Sequence, residues 1–312
     1  MTVSAFILAA GKGTRLYPFT SDIPKPMLPL LNKPIIHHSI ERLLKAGIQN
    51  IGVVIGKDDT KIPQYIQMTF PNLYPVFIVQ KEALGTAHAV LQIERHLKTD
   101  DFLAIAGDSL FSASYLRNIV ATHVAEKNAI TLSLEKMEFN LMKHSSTVNY
   151  HDGRVLEVRE KPQTPEEVLS DLNSAALYGF SYSIFKVLKK IEKTNRGEYE
   201  LATAINEVIH QNYRVGGVIT ERVCHITTSH DLWHFNLQFL REVDVTTVDG
   251  NFMGKDVDID ESAVIQDSIL GDNSVIKKKV IVKNSVIFPD TIVNQNCENS
   301  LVKTDYLERF TV

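Results

Sequence analysis

Short unbroken apolar runs alternate with stretches where apolar residues recur every three or four positions, from the start of the chain to about residue 134. Residues 4–10 (SAFILAA) form an apolar run of strand length, the pattern of a strand buried on both faces. In residues 34–46, Ile35, Ile36, Ile40, Leu43 and Leu44 fall on one helical stripe. Strands are expected over 48–55, 74–80, 102–106 and 129–134, and helices over 57–70, 86–97 and 114–127. This alternation predicts an α/β domain with a mostly parallel, Rossmann-like sheet and helices on both faces. Such sheets bind ligands outside the carboxyl ends of their strands. Those ends carry Gly11, Gln80 and Asp108, so three chemically loaded segments are expected at one crevice. Residues 147–180 read as a hairpin, an acidic linker and a strand. Helical patterns follow over 183–192, 199–211 and 229–242.

Beyond about residue 245 the period changes to six. Val264, Leu270, Ile276, Val282 and Phe288 make one apolar column. Ser262, Ser268, Ser274, Val280, Val286 and Ile292 make a second of small or β-branched residues. This pattern predicts a short left-handed parallel β-helix of hexapeptide repeats, at most two coils long, over 246–312. An edge-strand meander is the plainer alternative.

Composition narrows the function classes. Hydrophobic residues are 44% and charged residues 22% of 312, enough apolar material for a sizeable core. A net charge of −4 argues against general nucleic-acid or membrane-surface binding. The two cysteines, Cys224 and Cys297, are too few and too far apart for a disulfide framework or a zinc site. No apolar stretch reaches the ~18 residues of a membrane span, and the N-terminus lacks a signal-peptide pattern, so a cytoplasmic location is expected.

The loop after the first strand reads Gly11-Lys12-Gly13-Thr14-Arg15. Backbone N–H groups in such a loop can cradle phosphates. It lacks the third glycine of a dinucleotide fingerprint and the Gly-Lys-Ser/Thr of a Walker A loop. The missing glycine also argues against an NAD-dependent dehydrogenase. Pro18, Pro24, Pro26 and Pro29 stiffen its continuation, which places Lys25 as a second cation near Arg15 in sequence.

The stretch LAAGKGTRLYPFTSDIPKPMLPL resembles the signature of the sugar-1-phosphate nucleotidylyltransferases, and the resemblance covers roughly residues 3–242. It implies a nucleotidyltransferase domain over 1–245. The implied reaction joins a nucleoside triphosphate to a hexose 1-phosphate and releases pyrophosphate, with Mg²⁺ as cofactor. The sugar phosphate oxygen would attack the α-phosphorus, so the site must gather anions with cations and rigid placement. On this resemblance Arg15 holds the departing pyrophosphate and Lys25 lies near the α-phosphate. Leu8, Ala10, Gly11, Gly13 and Thr14 cradle the nucleotide.

Gln80 can read a pyrimidine edge, because an amide offers a donor and an acceptor; a Gln at a strand end, taken alone, is more often a solvated residue. With Gly85 and Thr86 it is similar to the base-recognition segment of the uridylyltransferase branch, which implies UTP first and dTTP next. His88 reads as helix surface or core. Asp108 reads equally as a loop cap or, by the resemblance, as the metal-binding acid. Glu160-Lys161-Pro162 is an exposed turn as a bare tripeptide; in the family's register Lys161 binds the sugar phosphate and Glu160 the sugar. Glu198, in a segment matching a helix start near the sugar pocket, could equally be a first-turn acid favoured by the helix dipole.

Three departures from the family pattern stand out. Ser174-Ala175-Ala176, with Asn173 one place earlier, replaces Asn-Ala-Gly. Ser146-Thr147 stands where Tyr-Gly is common, and both Asn173–Ser174 and Thr147 are expected near the sugar. His225 aligns with the second metal aspartate, although imidazole suits Mg²⁺ poorly. A nucleotide-binding regulatory homologue with little turnover is therefore the alternative to an enzyme. Homo-oligomerisation is expected, with the tail as one route; no histidine follows His234, which argues against acyl transfer on the β-helix.

Overall fold

The computed structural model describes residues 3–220, 223–242 and 248–311. The expected domain boundary at 245/246 lies outside them. The chain packs as two compact units, one through Lys12 with Ser39–Cys224, the other Gly13–His38 with His225 onward.

The first unit is built on a nine-stranded sheet. Its strands are β1 (Ser4–Leu8), β2 (Asn50–Gly56), β3 (Val76–Gln80), β4 (Asp101–Ala106) and β5 (Ile130–Lys136), followed by β6 (Ser146–His151), β7 (Arg154–Glu160), β8 (Leu172–Ser181) and β9 (Val215–Ile219). Their order is β3-β2-β1-β4-β8-β5-β9-β7-β6. β1 pairs in parallel with β2 and β4, β2 with β3, and β5 with β9. β8 runs antiparallel to β4 and β5, and β7 antiparallel to β9 and β6, so the sheet is mixed but mostly parallel. The β-α alternation does reveal the parallel part. The inverted β8 is invisible to it, because a strand buried on both faces has the same composition in either direction.

Helices α1 (Ile35–Lys45), α2 (Lys61–Thr69), α3 (Thr86–Leu91), α4 (Ala113–Ala125), α5 (Ile184–Leu188) and α6 (Leu201–His210) fall close to their expected spans. Apolar residues of α3, α5 and α6 share one buried cluster with Phe6, Val54, Phe102 and Leu132 of the sheet. Phe102 stacks on Phe185 at 5.6 Å between centroids and meets Phe6 edge-on at 6.0 Å. Burying such rings contributes a few kcal/mol each at ~25 cal/mol per Å². Leu116 and Ile119 of α4 are buried outside that cluster, as helices on both faces of a sheet require.

The second unit contains the glycine-proline loop, α7 (Ser229–Glu242) and a hexapeptide-repeat β-helix. The β-helix strands are β10 (Phe252–Met253), β11 (Asp258–Ile259), β12 (Val264–Gln266), β13 (Ile269–Leu270), β14 (Val275–Ile276), β15 (Ile281–Lys283), β16 (Val286–Ile287), β17 (Ile292–Val293) and β18 (Cys297–Glu298), then β19 (Ser300–Lys303) and β20 (Tyr306–Arg309). They stack as β10-β13-β16-β19-β20, β11-β14-β17 and β12-β15-β18. Three coils therefore form where two were expected.

The coil is also one residue shorter than the hexad pattern implies. Ile269 pairs with Val286 and Val275 with Ile292, seventeen positions on, whereas three hexads need eighteen. The interior column slips accordingly: Leu270 is followed by Ile287 rather than Phe288, and Val264 points outward at 54% exposure. Corners are turned by left-handed residues, Asp256, Asn273 and Asp290 on one edge and Asp267, Asn284 and Asn299 on another, the types that tolerate positive φ best after glycine. Inside, Ser268, Ser285 and Ser300 stack, the hydroxyls of Ser268 and Ser285 each accepting the next serine's N–H at 3.1 Å.

Candidate active site

In the first unit, Leu8 at the end of β1, Ala106 at the end of β4 and Thr86 at the start of α3 open onto a cavity of about 250 Å³. Its far wall carries Glu160, Lys161, Ser174, Tyr178, Glu198 and Glu200. Nucleotide-type and sugar-type segments of the sequence thus line the same space. Gly107 N–H donates to Leu8 O at 2.9 Å, tying the turn that bears Asp108 to the end of β1. Asp108 is half-buried and accepts from Ser109 Oγ at 3.1 Å. Ala10 and Gly11 follow β1, with Gly11 exposed.

Gln80 ends β3 with its side chain buried. Its Nε2 donates to Gly85 O at 3.3 Å and lies 2.9 Å from His88 Nδ1. A carbonyl can only accept, which sets the amide nitrogen on that side and makes it a donor toward His88 Nδ1; the other ring nitrogen, Nε2, lies 3.2 Å from Gln92 Nε2. His88 also stacks on Tyr199, 6.1 Å between centroids. From the sequence His88 reads as surface or core. The signal for its role is its position two residues past Thr86, at the start of a helix whose loop Gln80 must reach.

Gly85 has φ +104°, and a Cβ there would lie 2.6 Å from Tyr199 O. Tyr199 N–H donates to Leu84 O at 2.8 Å, and Ala87 N–H to Tyr199 O at 3.0 Å. The Gly197–Leu201 segment is therefore bonded to the base-type segment, and only glycine fits between them.

Glu160 and Lys161 close β7. Lys161 takes φ +49°, held by its N–H to Ser145 O at 2.6 Å. Burial pushes the Glu160 carboxyl up to about 7; Lys161 opposes this, while Glu200 and Glu198 add to it. Glu200 is bound through both oxygens by Arg196, at 2.7 Å each. Burial raises its carboxyl, but the Arg196 and Thr194 hydrogen bonds outweigh this and leave it below the usual range. Arg196 and Glu200 give no signal in the sequence, since an i,i+4 pair looks like any solvated helix pair.

The expected sugar residues separate. Ser174 lines the cavity and donates to Tyr178 OH at 3.2 Å. Burial holds the Tyr178 phenol at about 12, so it keeps its proton. Asn173 is buried beneath, its Oδ1 accepting from Ser145 Oγ, Ser146 N–H and Ser146 Oγ, its Nδ2 donating to Glu135. Thr147 is fully buried, its hydroxyl bonded to Ser170 O and to the N–H groups of Leu169 and Ser170.

The second unit carries Gly13, Thr14, Arg15, Lys25 and His225. Gly13 has φ +63°, and a Cβ there would lie 3.0 Å from Lys25 Cβ and 3.2 Å from Thr20 Cγ2. Thr20 Oγ1 donates to Gly13 O at 3.0 Å. The loop folds back so that its glycine touches Lys25, with Thr14 and Arg15 exposed. His225 is half-buried.

Among the described residues no group of three or more His, Cys, Asp or Glu side chains could hold a metal ion by itself. Mg²⁺ needs no such cage, since it keeps waters and is held by one or two carboxylates with substrate phosphates. Of the two expected ligands, Asp108 is a donor of the right kind; the imidazole of His225 is not.

An α/β sheet with a glycine loop after its first strand, strand-end Gln80 and Asp108, and an acid-lined cavity define a nucleotide-handling fold. Residues 4–242 match the Nucleotidyl transferase family, and the chain belongs to it. It is 32% identical over 271 residues to the bifunctional protein GlmU of Methanococcus maripaludis, covering 85% of this chain and 62% of that protein. It is 31% identical over 217 residues to the UTP–glucose-1-phosphate uridylyltransferase AglF of Haloferax volcanii, covering 69% of this chain and 87% of that one. A glucose-1-phosphate thymidylyltransferase of Streptomyces antibioticus is 30% identical over 225 residues, covering 70% and 61%. The chain thus spans under two thirds of the length of its GlmU relatives. The fold is that of a UDP-glucose pyrophosphorylase solved with UDP-glucose, with TM-score 0.71, 20% identity and 78% of this chain covered, and all of that one. Among the described residues no helix is long and apolar enough to cross a membrane.

Proposed function

We propose that this chain transfers a nucleotidyl group from UTP, or next dTTP, to a hexose 1-phosphate, releasing pyrophosphate. The observation that carries this reading is one cavity bounded by Leu8 and Thr86 on one side and by Glu160, Lys161 and Glu198 on the other. Carboxylates accept hydrogen bonds from sugar hydroxyls, and a lysine supplies the point charge for a phosphate. Lys161 is the only lysine or arginine among the described residues lining that wall.

The chain's own residues perform positioning and charge stabilisation rather than nucleophilic attack. The Gln80 amide nitrogen is engaged by Gly85 and His88, so its Oε1 is left to accept from the N3–H of uracil or thymine; cytosine offers no donor there. Lys161 holds the sugar phosphate, and the Glu160 and Glu198 carboxylates orient the ring. Arg15 and Lys25 balance the triphosphate charge, which grows on the leaving pyrophosphate as the α-phosphorus bond breaks. Asp108 would hold Mg²⁺, which neutralises phosphate charge when bound.

The test is pyrophosphate release. UTP, dTTP, GTP, CTP and ATP are paired with glucose, mannose, galactose and N-acetylglucosamine 1-phosphates in the presence of Mg²⁺. Turnover with UTP or dTTP and one sugar supports the enzyme. His225 and Ser174, where the family pattern has Asp and Asn, favour one other reading: a regulator that binds nucleotide and turns nothing over. Silence across the panel with UTP still raising Tm would select it.

A further inference from the structure

We infer that the end of the β-helix is the positioning element of the phosphate-binding loop, with Lys303 as its key residue. Lys303, in β19, sends Nζ to Phe19 O at 3.2 Å and to Ser21 Oγ at 3.4 Å, and pairs with the Asp22 carboxylate. Phe19 itself is fully buried. Its ring stacks on Phe288 at 5.4 Å and meets Tyr306 of β20 edge-on at 5.1 Å. Residues 19–22 lie midway between Arg15 and Lys25. The same turn carries Thr20, whose hydroxyl bonds Gly13 O and whose methyl lies beside the glycine.

The far end of the loop is pinned as well. Asn236 of α7 accepts from Leu31 N–H at 2.8 Å and donates to Pro29 O at 3.1 Å. Asn32 donates to Leu270 O at 2.7 Å. Loop, α7 and coils pack as one compact unit.

The physical consequence concerns entropy. A free loop would lose backbone conformational entropy at every residue on being fixed around a triphosphate. A loop already clamped at its middle and far end has its cations placed before the substrate arrives, which lowers that cost. Lys303 touches no substrate; it acts through residues 19–22. This inference rests on the proposed nucleotidyl transfer for its catalytic meaning.

The experiment uses the full chain with Lys303→Ala, Lys303→Arg and Phe288→Ala. Hydrogen exchange of the amides in residues 13–25, without substrate, should quicken about tenfold in Lys303→Ala and return toward wild type in Lys303→Arg. Steady-state kinetics should show KM for the nucleoside triphosphate raised about 5–20-fold with KM for the sugar phosphate unchanged. Phe288→Ala should move the same two readouts. Unchanged exchange, or a triphosphate KM that stays at the wild-type value, overturns the inference. Wild type inert with every pair defeats the functional reading alone; the exchange comparison still decides whether the coil holds the loop.

Discussion

Nε2 of Gln80 donates both to the backbone carbonyl of Gly85 and to Nδ1 of His88, so a helix-borne imidazole sets the orientation of a strand-end amide. Under the proposed function, base choice then depends on a residue that touches no base. His88→Ala should lower the preference for UTP over CTP about 3–10-fold, the value of one neutral hydrogen bond. Gln80→Ala should erase most of it. Competition between the two triphosphates measures both; an unchanged ratio in His88→Ala would show that the amide holds its orientation unaided.

Glu160 yields a pH prediction. Its carboxyl, raised by burial to about 7, is protonated in the folded chain at pH values where the unfolded chain has already released the proton. Stability therefore falls as pH rises from 4.5 through 7. Glu160→Gln removes the penalty, so its Tm relative to wild type should climb between about pH 5 and pH 8. The scale is about 1–3 kcal/mol. The same substitution should raise KM for the sugar phosphate, because an amide accepts fewer hydroxyls. Parallel Tm curves for the two proteins would mean that Glu160 ionises normally.

Much of this molecule is legible in its amino-acid sequence. Periodicity locates β1 and β4 and helices α1, α4 and α7 within a few residues, because burial on both faces or on one stripe writes itself into composition. Geometry set by pairing leaves no such trace. The inverted β8 looks like any buried strand, and the seventeen-residue coil looks like a hexad repeat until Ile287 takes the place expected of Phe288. In the site, Glu160 and Lys161 follow from motif register, and the cavity unites them with Thr86. Asn173 and Thr147 sit one residue off the cavity face, where strand alternation turns side chains under the floor. Arg196 stays hidden because its i,i+4 pair looks like any solvated one, and Lys303 because a contact across the chain leaves no local pattern.

Charge placement gives the largest kinetic predictions. Arg15→Ala and Lys25→Ala should each slow turnover ~10²–10³-fold, the cost of one preorganised contact to developing charge. Asp108→Asn should lose at least as much and demand more Mg²⁺ for half-maximal rate. Initial rates at saturating substrate, with Mg²⁺ varied, test all three. Wild-type rates in the three variants together would place the chemistry elsewhere.

Ala176 offers a test in which a family residue should improve the fold. It occupies a break in the pairing of β8 with β5, between Ser174 and Tyr178, and takes φ +55°. A left-handed conformation costs an L-residue roughly 1–2 kcal/mol, and glycine nothing. The related enzymes' Asn-Ala-Gly pattern puts glycine at this position. Ala176→Gly relieves the strain but gives the unfolded chain more freedom, which returns part of the gain. The net effect should be about 0.5–1 kcal/mol of stabilisation, seen as a Tm rise of about 1–3 °C in a chain of this size. Because Ala176 also lines the cavity, losing its methyl should widen the sugar wall beside Ser174 and shift KM for the sugar phosphate without changing that for the triphosphate. A lower Tm would mean that the methyl's packing outweighs the backbone strain.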